Sequence, residues 1–385
     1  MAELVLPEGY PLEEYTVETA DGYLLALYRI PHGRFELAQP ATACRPIVYL
    51  QHALLDCSAS WVNNGADASL AFILADAGFD VWMGNSRGST YSRRHINLSA
   101  DSAEFWAFSW DEMAAFDLPA FIDFALAATH EAKLGYIGHS QGTTIGFAAL
   151  SSQAELQEKV SLAVMLAPVT FLGHISSKPV QALARMQTDQ VFKLLGVKEF
   201  LPSQQAQIDI FGQICEITPS ACLSAIGLIC GYNPDNIDMS RMPLYLSYTP
   251  AGTSVQNMEH WAQGVRRPYP AFARYDYGDA CVGPMGLPQK CNRNMYGTDD
   301  VPLYRLKDIK VPLALFSGGQ DMLSDAQDIS VLVDALAPEH VVYAHVIDIY
   351  EHLDFTWGIN AHVLVYPAIK QLLFQHAGNW TSVAR

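Results

Sequence analysis

The stretch Leu134-Gly135-Tyr136-Ile137-Gly138-His139-Ser140-Gln141-Gly142-Thr143-Thr144 decides how this chain folds. It opens as an apolar run of strand length, passes through G-x-S-x-G at Gly138 to Gly142, and reads onward to Leu150 as a helix. Strand, sharp turn with serine, helix: that order is the signature of a nucleophile elbow. The glycines have a steric reason. A serine held in a strained backbone conformation, with its Oγ aimed into a pocket, leaves no room for Cβ atoms two residues to either side. The bare motif arises by chance in roughly one chain in ten of this length, so the surrounding chain has to carry the argument.

Around this stretch, strands and helices alternate. Residues 15–18 and 23–30 read as strands joined at Asp21-Gly22, a hairpin signal. Residues 46–52 form a short apolar strand ending in a polar loop, 69–77 a helix closed by Gly78, and 79–83 another strand. A longer helix over 111–128, kinked at Pro119, precedes the strand that delivers Ser140. Residues 160–166, 311–316 and 340–350 are strand-like, and a last helix spans 361–376. Such alternation predicts an α/β fold, a mostly parallel sheet covered by helices on both faces. From about 170 to 307 the alternation stops, which predicts a mainly helical cap or lid inserted between two strands of the core. The expected organisation is core over 1–169, insertion over 170–307, core over 308–385.

Composition narrows the possibilities further. With 385 residues, 50% hydrophobic and 16% charged, the chain can bury a large core. The net charge of −17 is spread along the sequence, which disfavours nucleic acid and anionic membrane surfaces as partners and suits an uncharged or weakly polar substrate. No window approaches eighteen apolar residues, so no transmembrane helix is expected and the protein reads as soluble. Residues 1–7 lack the basic and apolar regions of a signal peptide, which leaves an intracellular chain or a missing leader. No metal-ligand spacing, phosphate loop or dinucleotide fingerprint is present, and no cofactor is expected. Seven cysteines are an odd count. Cys215 with Cys222 and Cys281 with Cys291 are close enough to staple local loops, free buried thiols being the other reading, and Cys44, Cys57 and Cys230 are left over. Asn97-Leu98-Ser99 and Asn379-Trp380-Thr381 are glycosylation sequons compatible with secretion.

A serine is a weak nucleophile at neutral pH and needs a base, and the base needs an acid to fix its tautomer. On this topology the partners follow in the order Ser, acid, His, each in a loop after a later strand. Asp321 meets the first requirement through Ser317-Gly318-Gly319-Gln320, with Asp325 and Asp328 read as helix-start or surface residues. Five histidines follow Asp321, and His352 alone sits in a loop just past the last core strand; His345 reads as a satisfied core residue. His139, beside the nucleophile, reads as a pocket-shaping residue. Oxyanion donors are expected at the backbone N–H of Gln141, directly after the nucleophile, and at that of Leu54 in the loop after the strand ending near His52.

With these residues in place, the chain resembles the acid lipases of the α/β-hydrolase superfamily, the gastric and lysosomal enzymes that cleave triacylglycerols and cholesteryl esters. The resemblance rests on Leu50-Gln51-His52-Ala53-Leu54-Leu55, on residues 69–78 continuing into Val81-Trp82-Met83-Gly84-Asn85-Ser86-Arg87-Gly88, and on residues 105–113 and 138–144. Pro250-Ala251-Gly252-Thr253-Ser254-Val255-Gln256-Asn257, Gly318-Gly319-Gln320-Asp321 and His352-Leu353-Asp354-Phe355 complete it, over roughly 7–374.

The resemblance implies a Ser140, Asp321, His352 triad with Gln141 and Leu54 as oxyanion donors. It also implies a neutral lipid ester substrate met at a lipid–water interface, a lid near 200–231, and secretion or a lysosome-like compartment. The family's cap disulfide maps onto Cys215 and Cys222; Cys281 with Cys291 would be an added bridge. One departure stands in the oxyanion loop, where Ala53 replaces the family's usual glycine; an alanine forced to positive φ there would cost roughly 1 kcal/mol. The same triad could instead serve acyl transfer or thioester cleavage, and a lipid-binding homologue without turnover is the non-enzymatic alternative.

Overall fold

The computed structural model describes residues 1–35, 45–186, 195–201, 218–279, 281–282 and 288–377. Its main sheet is built from β1 (Glu13–Glu18), β2 (Tyr23–Ile30), β3 (Ile47–Gln51), β4 (Asp80–Gly84), the two-residue β5 (Arg94–His95), β6 (Leu134–His139) and β7 (Val160–Leu166). Two ribbons follow, β8 (Glu199–Phe200) with β9 (Thr253–Ser254) and β10 (Cys281–Val282) with β11 (Pro288–Gln289). The sheet then closes with β12 (Leu313–Gly318) and β13 (Val341–Ile347). The strand order is β1-β2-β4-β3-β6-β7-β12-β13, with β5 on β2. β1, β2, β4 and β5 pair antiparallel through β2, and every pair from β4 through β13 is parallel, as the alternation of elements required.

The apolar runs form central strands because both of their faces are covered. In β3, Ile47 and Tyr49 face one core while Val48 and Leu50 face the other; in β12, Leu313 and Leu315 divide from Ala314 and Phe316 in the same way. Helices Leu118–Thr129, Gln141–Ser152 and Ala326–Ala335 cover the Ile47 and Tyr49 face, and helices Leu70–Asp76 and Tyr366–His376 cover the Val48 and Leu50 face.

Three local expectations need correction. The irregularity in the helix before β6 is a π-helical turn over Met113–Asp117, and Pro119 sits in the first turn of Leu118–Thr129, where its missing N–H is harmless. His345 is exposed rather than a satisfied core residue, because β13 is the sheet's edge strand. Asp328 is buried, accepting the backbone N–H of His174 at 3.0 Å and facing His174 Nδ1 at 3.0 Å.

Between β7 and β12, the described residues add no strand to the main sheet. They form helices Lys178–Arg185, Pro219–Cys230, Met242–Tyr248, Val255–Arg266 and Cys291–Tyr296, besides the two ribbons. Cys281 and Cys291 are bridged, whereas Cys57 and Cys230 are free thiols. The expected Cys215–Cys222 pairing, the sequon at Asn379, Cys44 and residues 202–217 of the expected lid lie outside the described residues. Asn97 is exposed.

Candidate active site

Ser140 caps the helix Gln141–Ser152 with φ 53° and ψ −117°, a conformation that a serine adopts only under constraint. The constraint is visible. Ser140 N–H donates to the Leu166 carbonyl at 3.0 Å, and its own carbonyl accepts from Thr143 N at 2.8 Å and Thr143 Oγ1 at 2.6 Å. A Cβ on Gly138 would lie 2.7 Å from the Gly142 carbonyl carbon, and one on Gly142 would lie 2.4 Å from the Gln51 carbonyl oxygen. Both glycines are therefore required by the packing of the elbow against itself and against β3.

The loops after β12 and β13 bring an acid and a base to this serine. Ser140 Oγ lies 2.6 Å from His352 Nε2, and His352 Nδ1 lies 2.9 Å from Asp321 Oδ2 and 3.1 Å from Oδ1. Asp321 Oδ1 also accepts from the N–H groups of Leu323 and Ser324 at 2.8 and 2.7 Å, which fixes its carboxylate plane. With Nδ1–H donated to Asp321, His352 presents the lone pair of Nε2 to the serine hydroxyl. Ser140, His352 and Asp321 are only 8%, 3% and 6% exposed, so the relay is shielded from water.

His139 does not join this relay. Its Nε2 donates to the His352 carbonyl at 2.9 Å, and its Nδ1 is buried without a partner among the described residues. Burial, and then the neighbouring His352, push its pKa down to about 3, so it stays a neutral buttress beneath the base.

Gln141 occupies the first position of its helix, where a backbone N–H has no intrahelical acceptor and is free to face a developing charge. The loop carrying Leu54 leaves β3 directly above it, since the space beside Gly142 is bounded by the Gln51 and His52 carbonyls. Ala53 is not among the residues with positive φ; the left-handed residue of this loop is Leu55, at φ 60°. The strain anticipated for alanine in place of glycine is therefore absent. Ser86 N–H donates to His52 Nε2 at 3.0 Å, which ties the loop to the end of β4.

Several residues at the site carry no legible sequence signal. Asp354, fully buried, accepts from Glu351 N at 2.7 Å and from Asn233 Nδ2 and Asn236 Nδ2 at 2.8 Å each. The Cys230 carbonyl accepts from Met322 N at 3.2 Å and His352 N at 3.4 Å, so the end of helix Pro219–Cys230 touches both the acid and the base loops. Burial, with Asp354 next in size, raises the Glu351 carboxyl well above the usual range. Asp354 was visible only as part of a family-like motif, and the two asparagines are more than a hundred residues away from it. Among the described residues no cluster of three or more His, Cys, Asp or Glu side chains could hold a metal ion, and no helix is long and apolar enough to cross a membrane.

Comparison with known proteins agrees with this fold. Residues 46–359 match the family model of the alpha/beta hydrolase fold, and residues 1–65 match that of a partial alpha/beta-hydrolase lipase region. The chain is 44% identical to the lysosomal acid lipase/cholesteryl ester hydrolase of Macaca fascicularis over 376 residues, covering 97% of this chain and 90% of that one. It is 41% identical to the gastric triacylglycerol lipase of Homo sapiens over 376 residues, with the same shares covered. Among solved structures, a soluble variant of the Saccharomyces cerevisiae monoglyceride lipase bound to a substrate analogue superposes with a TM-score of 0.57 at 14% identity, over 95% of this chain and 96% of that one.

Proposed function

The chain belongs to the acid lipase family of the α/β-hydrolases and is an ester hydrolase, and from that premise we propose that Ser140, His352 and Asp321 cleave neutral lipid esters, triacylglycerols or cholesteryl esters, through an acyl-enzyme. One observation carries the proposal: an unbroken hydrogen-bond line from Ser140 Oγ through His352 to Asp321, inside a site closed to water. His352 Nε2 takes the hydroxyl proton as Oγ attacks the ester carbonyl, and Asp321 holds the resulting imidazolium. The N–H groups of Gln141 and Leu54 receive the oxyanion. Collapse expels the alcohol with the proton from His352; a water, deprotonated by the same imidazole, then releases the fatty acid.

Residues 170–307 act in this reading as the cap. Leu228, Ile229 and Tyr232, at 62%, 42% and 60% exposed, flank the end of helix Pro219–Cys230 and offer the surface that would meet a lipid phase. The Cys281–Cys291 bridge and the exposed sequon at Asn97 favour a secreted or lysosomal setting, with Asn97 glycosylated. Ser140→Ala is expected to lower hydrolysis of emulsified triolein and cholesteryl oleate by on the order of 10⁵-fold and to abolish fluorophosphonate labelling. A variant that still turns over either ester at the wild-type rate ends the proposal.

A further inference from the structure

The side chain of Gln141 takes no part in the reaction described above, yet it is the best-anchored side chain at the elbow. Its Oε1 accepts two hydrogen bonds, from Asn257 Nδ2 at 2.8 Å and from Trp261 Nε1 at 2.8 Å, and its Nε2 donates to Met113 Sδ at 3.6 Å. Gln141 and Asn257 are buried. Asn257 and Trp261 stand four residues apart on helix Val255–Arg266, hence on one face, and converge on a single oxygen.

The helix is itself pinned to the core: Ser254 Oγ caps it by accepting Asn257 N–H at 2.9 Å and donates to the Phe108 carbonyl. Asn257 Nδ2 also donates to Thr253 Oγ1 at 3.0 Å, while Asn257 Oδ1 is buried with no partner among the described residues. An unpaired buried acceptor is costly, and an apolar residue of this size would avoid it. Asparagine at this position is explained by what its amide donates to Gln141.

We infer that Asn257 and Trp261 are positioning residues that lock the first turn of the Ser140 helix, and with it the Gln141 N–H, in the orientation that receives the oxyanion. The inference rests on the proposed role of Ser140 and Gln141 and deepens it. Side chains from the 170–307 segment complete the oxyanion site, so that segment does more than cover it. A donor held in advance acts on the transition state and hardly on the bound ester, which sets the signature to look for.

The test is a cycle of Trp261→Phe, which keeps the ring and deletes the N–H, and Gln141→Leu, which deletes the acceptor and keeps the backbone donor. Hydrolysis of p-nitrophenyl butyrate and binding of phenylboronic acid, a tetrahedral mimic on Ser140, are both measured. Trp261→Phe should lower kcat about tenfold and weaken phenylboronate by the same factor, with KM within about twofold. In the Gln141→Leu background it should cost nothing more. Asn257→Leu should behave as Trp261→Phe does, and where it fails to fold the Trp261 arm decides. An unchanged kcat, a change in KM alone, or losses that multiply in the double variant would overturn the inference while leaving Ser140 in its role. A wild type that neither hydrolyses the ester nor takes a fluorophosphonate would remove both.

Discussion

Two helices of the same 170–307 segment reach the site in opposite ways. Helix Val255–Arg266 turns polar side chains inward: Asn257 onto the elbow, and His260 between Ser109 Oγ at 3.1 Å and the Ala273 carbonyl at 3.0 Å, stacked 3.9 Å over Trp110. Burial pushes the His260 pKa down to about 3, so this imidazole is neutral above that pH. Helix Pro219–Cys230 touches the site through one backbone carbonyl at its end and through the asparagines of the following turn, while Leu228 and Ile229 face solvent. The Gln141 side of the elbow is held by buried and half-buried side chains. The base side is held by the end of a helix whose outer surface is apolar and unsatisfied in water.

The largest expected effect lies on the base side. Asp354 joins the Asn233–Asn236 turn to the N–H of Glu351, one residue before His352, and Asp354→Asn replaces an acceptor of three N–H groups with a side chain that must turn a donor toward one of them. We expect kcat to fall by about ten- to a hundredfold with a smaller change in KM. A pH effect accompanies it. Burial, its largest cause, raises the Asp354 pKa from 3.8 to about 6 against the pull of its N–H donors, and Asp321 adds to the rise. A carboxyl with a raised pKa favours the folded state fully below its unfolded value and loses that contribution as pH rises through about 6, here by at most about 3 kcal/mol. Thermal unfolding from pH 4 to pH 7.5 should therefore show a decline in Tm that Asp354→Asn flattens. Unchanged kcat together with an unchanged pH slope would mean that the base loop does not need the helix end, and the contrast between the two sides would collapse.

Replacing Leu228, Ile229 and Tyr232 together by serine sharpens the contrast from the other direction. Turnover of emulsified triolein should drop about fivefold to tenfold while soluble p-nitrophenyl butyrate is processed within about twofold of wild type, since the lost contacts are with a lipid phase and not with the reacting centre. Equal losses on both substrates would show that these side chains support the site rather than the interface.

What could be read from the sequence divides along similar lines. Central parallel strands are apolar runs on both faces, so β3, β6, β7 and β12 were legible, and the three relay residues follow strands in a fixed order. The edge strand β13 is half-buried or exposed at every position but Ile347, although its sequence is as apolar as that of a central strand, and His345 reads as a core residue for that reason. Contacts between Gln141 and Asn257, or between Asp354 and Asn236, join residues 116 and 118 apart through side chains with no periodicity to betray them. The π turn over Met113–Asp117 escaped because Pro119 offered a simpler explanation for the same bend.

The smallest effect belongs to the oxyanion loop. Ala53 is 7% exposed and keeps an ordinary backbone conformation, while the left-handed residue is Leu55, whose carbonyl accepts Ala251 N–H at 2.7 Å. Ala53→Gly therefore relieves no strain; it enlarges the unfolded ensemble and should lower stability by about 0.5–1 kcal/mol. For a chain of this size that is a Tm drop of about 1 °C. Its kcat on cholesteryl oleate should stay within about twofold of wild type, because the Leu54 N–H is set by the turn at Leu55 and by the Ala251 N–H that donates to the Leu55 carbonyl. A rise of fivefold or more on this bulky ester, with p-nitrophenyl butyrate unaffected, would mean that the Ala53 methyl narrows the entrance to the oxyanion site. Substrate size would then be set on the fixed side of the site as well as under the apolar helix.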